Sequence, residues 1–301
     1  MTSKTKIGII VSMYSEISAN KRKTVFMMFF FIVLISGLAW AITSLLQLDQ
    51  YVTYYVVIGA LVYVLVSYYS SSKMMLSING AKPISKKDNP RVYRIVENLA
   101  ITEGLPMPKV YVINDPALNA FATGHNPNSA SVAVTTGLLE VLNDAELEGV
   151  MAHEMGHVKN YDIRVSLVAF ALVAVIGIMS DIILRLSWFA DDENNQFTIL
   201  FGLIGALLAP LVAGLIQLAV SRKREYLADA TGALTTRYPQ GLASALKKIG
   251  SDGGIMKKQN SSTAHLFFAN PLKKGSLSGL FSTHPPIEER IKRLNNMEDA
   301  V

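Results

Sequence analysis

Four long stretches with few or no charges divide this chain. Residues 24–48 carry no charge and are long enough to span a bilayer. Residues 51–72 follow after only Asp49 and Gln50, so the two read as a transmembrane hairpin. Ala39-Trp40-Ala41 resembles a signal-peptidase site, but the apolar run continues well past it, which argues for a span rather than a cleaved leader. Residues 165–190 are apolar except for Asp181 and Arg185, four apart and able to pair on one helix face. Residues 197–220 are uncharged. These two stretches predict a second hydrophobic hairpin, either crossing the membrane or buried as a helical pair within the protein.

Between the hairpins the pattern turns soluble. Asn89-Pro90 precedes a helix-like segment over 92–99, and Lys109–Ile113 reads as a strand bracketed by Pro108 and Asn114-Asp115. Residues 119–123 and 130–135 are two further short strands, separated by a turn-rich stretch. Thr136-Gly137 leads into a short helix. Asn143-Asp144-Ala145-Glu146 has the form of a capping box and opens a helix running to about Asn160. Residues 286–297 form a last amphipathic helix. The expected layout is a 1–23 extension, a 24–72 hairpin, a 73–164 first catalytic part, a 165–220 second hairpin and a 221–301 second catalytic part. The fold class is α+β: a mainly helical integral membrane protein with about four transmembrane helices and a catalytic domain bearing a small sheet.

Composition supports this picture and sets its orientation. Only 17% of the 301 residues are charged, and the mean hydropathy is +0.32, too apolar for a purely soluble chain. The net charge of +5 does not point to nucleic acid, because the basic residues sit beside the apolar runs. Lys21, Arg22, Lys23, the lysines of 73–87, Lys159, Arg164 and the run Arg222-Lys223-Arg224 all fall on one side of the spans. The opposite loops hold Asp49 and Asp191-Asp192-Glu193, so the first side is expected to be cytoplasmic. Cysteine is absent, which excludes disulfides and thiolate ligands and leaves nitrogen and oxygen to hold any metal.

The helix after the capping box carries His153-Glu154-Met155-Gly156-His157. Residues four apart share a helix face, so both imidazoles can reach one Zn²⁺, with Glu154 beside them to take a proton from an attacking water. A catalytic zinc keeps three protein ligands and one open position. By itself, Glu225 four residues before Asp229 reads as a wet helix face. Beside this motif it reads as the third ligand, because a hairpin returns the chain to the membrane face it left. Asp229, one turn on, can hold a ligand histidine by its second ring nitrogen. His125 and His265 read as structural or exposed.

Two N-terminal spans, His153-Glu-Met-Gly-His157, a second hairpin, Arg222-x-x-Glu225-Tyr-x-Ala-Asp229 and Ser282-Thr-His284-Pro-Pro-x-x-x-Arg290-Ile together resemble the HtpX heat-shock membrane proteases. The likeness covers nearly the whole chain from about Ser15. It implies a zincin-like, gluzincin-type cytoplasmic domain with one Zn²⁺ on His153, His157 and Glu225, and Glu154 as general base. It further implies that His284 and Arg290 support the oxyanion, and that Asn119, Ala120, Phe121 and Ala122 form a substrate-edge strand. Such an edge would hold extended peptide through its main chain. The expected activity is cleavage of misfolded or damaged membrane proteins at the cytoplasmic face of the cell membrane, with polypeptides and the bilayer as partners. The alternatives are a processing protease for particular membrane or lipidated peptides, and a non-catalytic scaffold or metal sensor. The intact Glu154 argues against the last, since a structural zinc site has no use for a base. The Gly-, Ser-, Lys- and Asn-rich stretch 250–282 suggests a mobile segment over the cleft or near the membrane, with a lid that admits unfolded chains as one role for it.

Overall fold

In the computed structural model, residues 3–45, 47, 49–188, 214, 221–252, 256–257, 267–269 and 285–297 are described. The chain opens with two long helices, α1 (Ser3–Leu45) and α2 (Gln50–Ile78), packed against each other. Asp49 caps α2 by accepting from the Tyr51 N–H, which makes the tight reversal between them. The expected 1–23 extension is not a separate unit, because α1 runs through it without a break. Twenty-nine residues of α2 reach about 44 Å, more than the roughly 30 Å hydrocarbon layer. Its most apolar window has a mean hydropathy of 1.7, yet only 6% of that window is buried inside the protein. Phe26, Phe29, Phe30, Tyr54, Tyr55 and Ile58 likewise point outward from the pair. So much contiguous apolar surface on the outside suits lipid rather than water.

A short strand β1 (Ala81–Pro83) follows, then α3 (Pro90–Glu103), β2 (Lys109–Ile113), β3 (Ala120–Thr123) and β4 (Ser131–Thr135). Asn89 caps α3, Pro90 occupies its first turn, and Gly104 ends it in the left-handed conformation at φ 65°. The sheet order is β1-β2-β4-β3, with β2 and β4 parallel and the other pairs antiparallel. Strand β1 was not expected from the sequence. It tolerates Pro83 because an edge strand has one side free of ladder bonds. Strand β3 forms the opposite edge.

Helices α4 (Thr136–Val141) and α5 (Asp144–Lys159) come next, and the capping box is present: Glu146 N–H donates to Asn143 Oδ1, and Asn143 N–H to Glu146. The Glu146 carboxylate also accepts from Ser244 and Lys248 of α8 (Pro239–Asp252), so the cap fastens two helices together. The two cross closely: a Cβ on Gly149 would lie 2.7 Å from the Leu242 nitrogen. Val92, Val132, Leu147, Met151 and Leu246 belong to the core between helices and sheet.

Helix α6 (Asp162–Trp188) begins the second apolar stretch. Its first turns, including Val165, Leu167, Val168 and Phe170, are buried, and the helix packs on α1 and α2. This part of the expected second hairpin therefore meets protein rather than lipid. The 189–220 stretch apart from Gly214, and the side chains of Asp181 and Arg185, lie outside the described residues. Helices α7 (Arg222–Thr236), α8 and α9 (Ile287–Asn295) complete the fold.

Candidate metal centre

The capped helix α5 runs through the core with His153, Glu154 and His157 on the side facing α7 and β3. Helix α7 crosses it closely, since a Cβ on Gly232 would sit 3.0 Å from the His153 nitrogen. That approach brings Glu225 into range. The two Nε2 atoms are 3.1 Å apart, and the Glu225 oxygens lie 3.7 Å from His153 Nε2 and 3.5 Å from His157 Nε2. Tetrahedral zinc with bonds of roughly 2.0–2.1 Å separates its donors by about 3.3 Å, so two imidazoles and one carboxylate fit the ion. All three ligand atoms fall within 4.8 Å of one another.

Each imidazole has a carboxylate behind it. Asp229 Oδ1 lies 2.9 Å from His153 Nδ1. Asp162 Oδ2 lies 2.9 Å from His157 Nδ1. The sequence reading missed Asp162, although the need for a second acceptor, five residues past His157, was a signal that could have found it.

Electrostatics sorts these groups by role. Burial holds His153 down to about 4, leaving it neutral with a lone pair to give. Burial also acts downward on His157, but Glu225, Asp162 and Glu154 outweigh it and take it up to about 9. Burial pushes Glu154 up to about 7, with Glu225 adding to the effect and His157, Arg290 and an Ala122 N–H opposing it. A cation must displace the His157 proton, so its affinity should fall by up to about tenfold per unit as pH drops from 9 to 7. Chelator-competition titrations from pH 6 to 8.5 check this; a flat profile contradicts it.

Arg290 enters the site from α9, only 1% exposed. Its Nε and one Nη bond Asp229 at 2.9 and 2.7 Å. Burial acts upward on the Asp229 carboxyl, yet Arg290 and His153 hold it well below the usual carboxylate range. The guanidinium thus faces Asp229 and the back of the His153 ring. That placement differs from the oxyanion support expected of it, and His284 lies outside the described residues, as does His265.

Strand β3 borders the centre. Thr135 N–H donates to Asn119 O, and Phe121 pairs with Ala133, so Asn119 and Phe121 turn their backbone groups toward β4. Ala120 and Ala122 turn theirs to the free edge, where an Ala122 N–H meets Glu154. The Phe121 side chain is fully buried against Phe267, 5.0 Å between ring centres. The chain's own 267–269 segment lies along this edge: Phe268 N–H donates to Ala120 O at 2.9 Å, and the Asn119 side chain bonds both the N–H and the C=O of Ala269 at 3.0 and 2.8 Å. The Phe268 ring lies 5.0 Å from that of His153. Away from the centre, His125 bonds the Tyr68 carbonyl at 2.8 Å and meets that ring edge-on, joining the β3–β4 turn to α2.

A largely buried His-His-Glu cluster with a carboxylate beside it defines a metal-dependent hydrolase. Peptidase family M48 matches residues 86–298, the region holding every one of these groups. The chain belongs to that family, in its HtpX branch, and is a membrane-associated metalloprotease. The Protease HtpX homolog of Tropheryma whipplei (strain Twist) is 51% identical over 288 residues, covering 95% of this chain and 98% of its own. That of Streptococcus pyogenes serotype M49 (strain NZ131) is 45% identical over 299 residues, covering 95% and 100%. The crystal structure of S. mikatae Ste24p aligns with a TM-score of 0.49 at 23% identity, over 93% of this chain and 66% of that one, just under two thirds.

Proposed function

We propose that the chain is a zinc endopeptidase held at the cytoplasmic face of the cell membrane, cleaving misfolded or damaged membrane proteins. The observation that carries the zinc reading is the convergence of His153, His157 and Glu225 with Glu154 on the next helical position. Bound by those three residues, zinc would supply Lewis acidity toward a water and the scissile carbonyl. Glu154 takes the proton of the attacking water and returns it to the departing amine nitrogen. Its elevated proton affinity in a site closed to solvent suits both transfers.

Peptide binding at β3 is supported by the chain's own 267–269 segment, whose backbone bonds Ala120 and Asn119 as an added strand does. Substrate entering there has to displace that segment. His284 and Arg290 as oxyanion support belong to this proposal too. The cytoplasmic side rests on the basic flanks of the apolar runs, and a multi-pass arrangement on the lipid-suited surface of α1 and α2 together with the uncharged 197–220 stretch. The HtpX relatives favour quality control of membrane proteins.

The test is metal exchange on the full chain in detergent. Chelation should abolish cleavage of an unfolded casein, and stoichiometric zinc should restore it. Cleavage that continues in the demonstrably metal-free protein would refute the proposal.

A further inference from the structure

The carboxylates behind the two histidines are anchored differently. Asp229 is held within the catalytic half by Arg290. Asp162 is held by a residue from the first membrane-directed helix. Asn20 of α1 donates its side-chain amide to Asp162 Oδ1 at 2.7 Å, across 142 residues of sequence. The same nitrogen donates to the carbonyl of Asn160, the C-cap residue of α5, at 2.9 Å. An amide nitrogen carries two hydrogens, and both are used. Asn20 is 3% exposed, and Thr24 one turn further on is fully buried and bonds the Asn20 carbonyl.

The turn between these contacts is strained. Tyr161 has φ 61°, a left-handed conformation that costs a non-glycine residue energy and persists only when its surroundings enforce it. Helix α1 supplies that enforcement: Asn20 bonds the residues on either side of Tyr161, and Lys21 stands 4.5 Å over its ring. The kink turns α6 back so that Asp162, its first residue, reaches His157. Without Asn20, Asp162 Oδ1 would, among the described residues, keep the Arg224 guanidinium, at 3.5 Å.

We propose that Asn20 is a positioning residue of the metal centre: it orients Asp162, which orients His157, so that the packing of α1 on α6 sets the geometry of a metal ligand. The inference rests on the reading of His157 as a ligand. It gives the N-terminal helix a part in the chemistry besides anchoring, because a shift of α1 at the membrane surface is transmitted to the site through two hydrogen bonds.

The experiment measures zinc affinity of the full chain in detergent by chelator competition, with the visible spectrum of the cobalt-substituted protein and steady-state kinetics beside it. Loss of a direct outer partner costs roughly 10–100-fold in affinity. Asn20 is one bond further out, and Asn20→Ala, which leaves room for a replacing water, should cost about three- to tenfold. Asn20→Leu, similar in shape but dry, should cost more than Asn20→Ala. Both should change the cobalt spectrum and lower kcat with KM little altered, as the Asn20 side chain bonds the α5–α6 turn rather than β3. Combining Asn20→Ala with Asp162→Asn should weaken zinc no more than Asp162→Asn alone, since one pathway is cut twice. Ile35→Ala, a buried packing change elsewhere on α1, should leave zinc affinity intact. Thermal unfolding of each variant separates misfolded protein from a disturbed site. Wild-type affinity and spectrum in folded Asn20→Leu, or an equal loss in Ile35→Ala, overturns the inference. If His157→Ala keeps its metal, the ligand reading itself falls. If His157→Ala loses metal while Asn20→Leu behaves as wild type, only the role of Asn20 falls.

Discussion

Glu154→Gln should abolish measurable proteolysis while the protein stays folded and keeps its zinc. Glutamine keeps the size and one acceptor oxygen of the carboxylate but cannot accept the proton of the attacking water. Positioned general acid–base groups contribute about 10²–10⁴-fold, so turnover should fall by at least that range, equivalent to about 3–5 kcal/mol of barrier. The metal donors are untouched, because the Glu154 carboxyl lies against the Ala122 N–H rather than among them. The fold should gain slightly if anything. Glu154 is 2% exposed and burial makes its ionised form costly, a cost a neutral amide lacks. Peptide-cleavage rates paired with metal content of the same preparation decide the matter. Equal cleavage by both forms would remove Glu154 from the mechanism, while lost cleavage with lost zinc would make it a structural group.

Glu225→Ala should empty the centre. With two imidazoles remaining, zinc affinity should drop by more than the roughly 10–100-fold that removal of an outer partner costs. Proteolysis at limiting zinc should vanish with it and return in part at high zinc. Glu225 is also among the causes that raise His157. Its removal therefore lowers the histidine's proton affinity and flattens the pH dependence of whatever metal binding remains. Affinity measured at pH 6 and pH 8.5 reads both effects. Unchanged zinc content would show that Glu225 is not the third ligand, and an unchanged pH slope would show that its charge does not govern His157.

The local features of this site were legible because they are local. Four-residue spacing on a helix fixes which side of α5 carries both histidines, and Asn143 with Glu146 announced where that helix begins. Strands β2, β3 and β4 lie within one residue of the segments expected from their turn boundaries. Asp229 could be proposed because it stands one turn from Glu225 on the same helix. Asp162 was harder to see: it reaches His157 only because Tyr161 adopts a left-handed kink, and nothing in that residue type suggests one. Arg290 was expected in the site, but its bond to Asp229 depends on how α9 packs beside α7, which no spacing encodes. Strand β1 was missed because three residues ending in proline carry almost no pattern.

By itself, then, the sequence determined the chemical inventory: no thiolate, two imidazoles one helical turn apart, a carboxylate between them, and apolar runs with basic flanks. Hydrogen-bond periodicity and solvent transfer are enough for that, since each acts within a few neighbouring residues. Tertiary structure alone decided which distant groups stand behind the ligands. Asn20 under Asp162, Arg290 on Asp229 and residues 267–269 along β3 all join segments far apart in the chain. Buried charges and amides must find partners wherever the packing of apolar faces happens to bring them. That packing is a property of the whole fold.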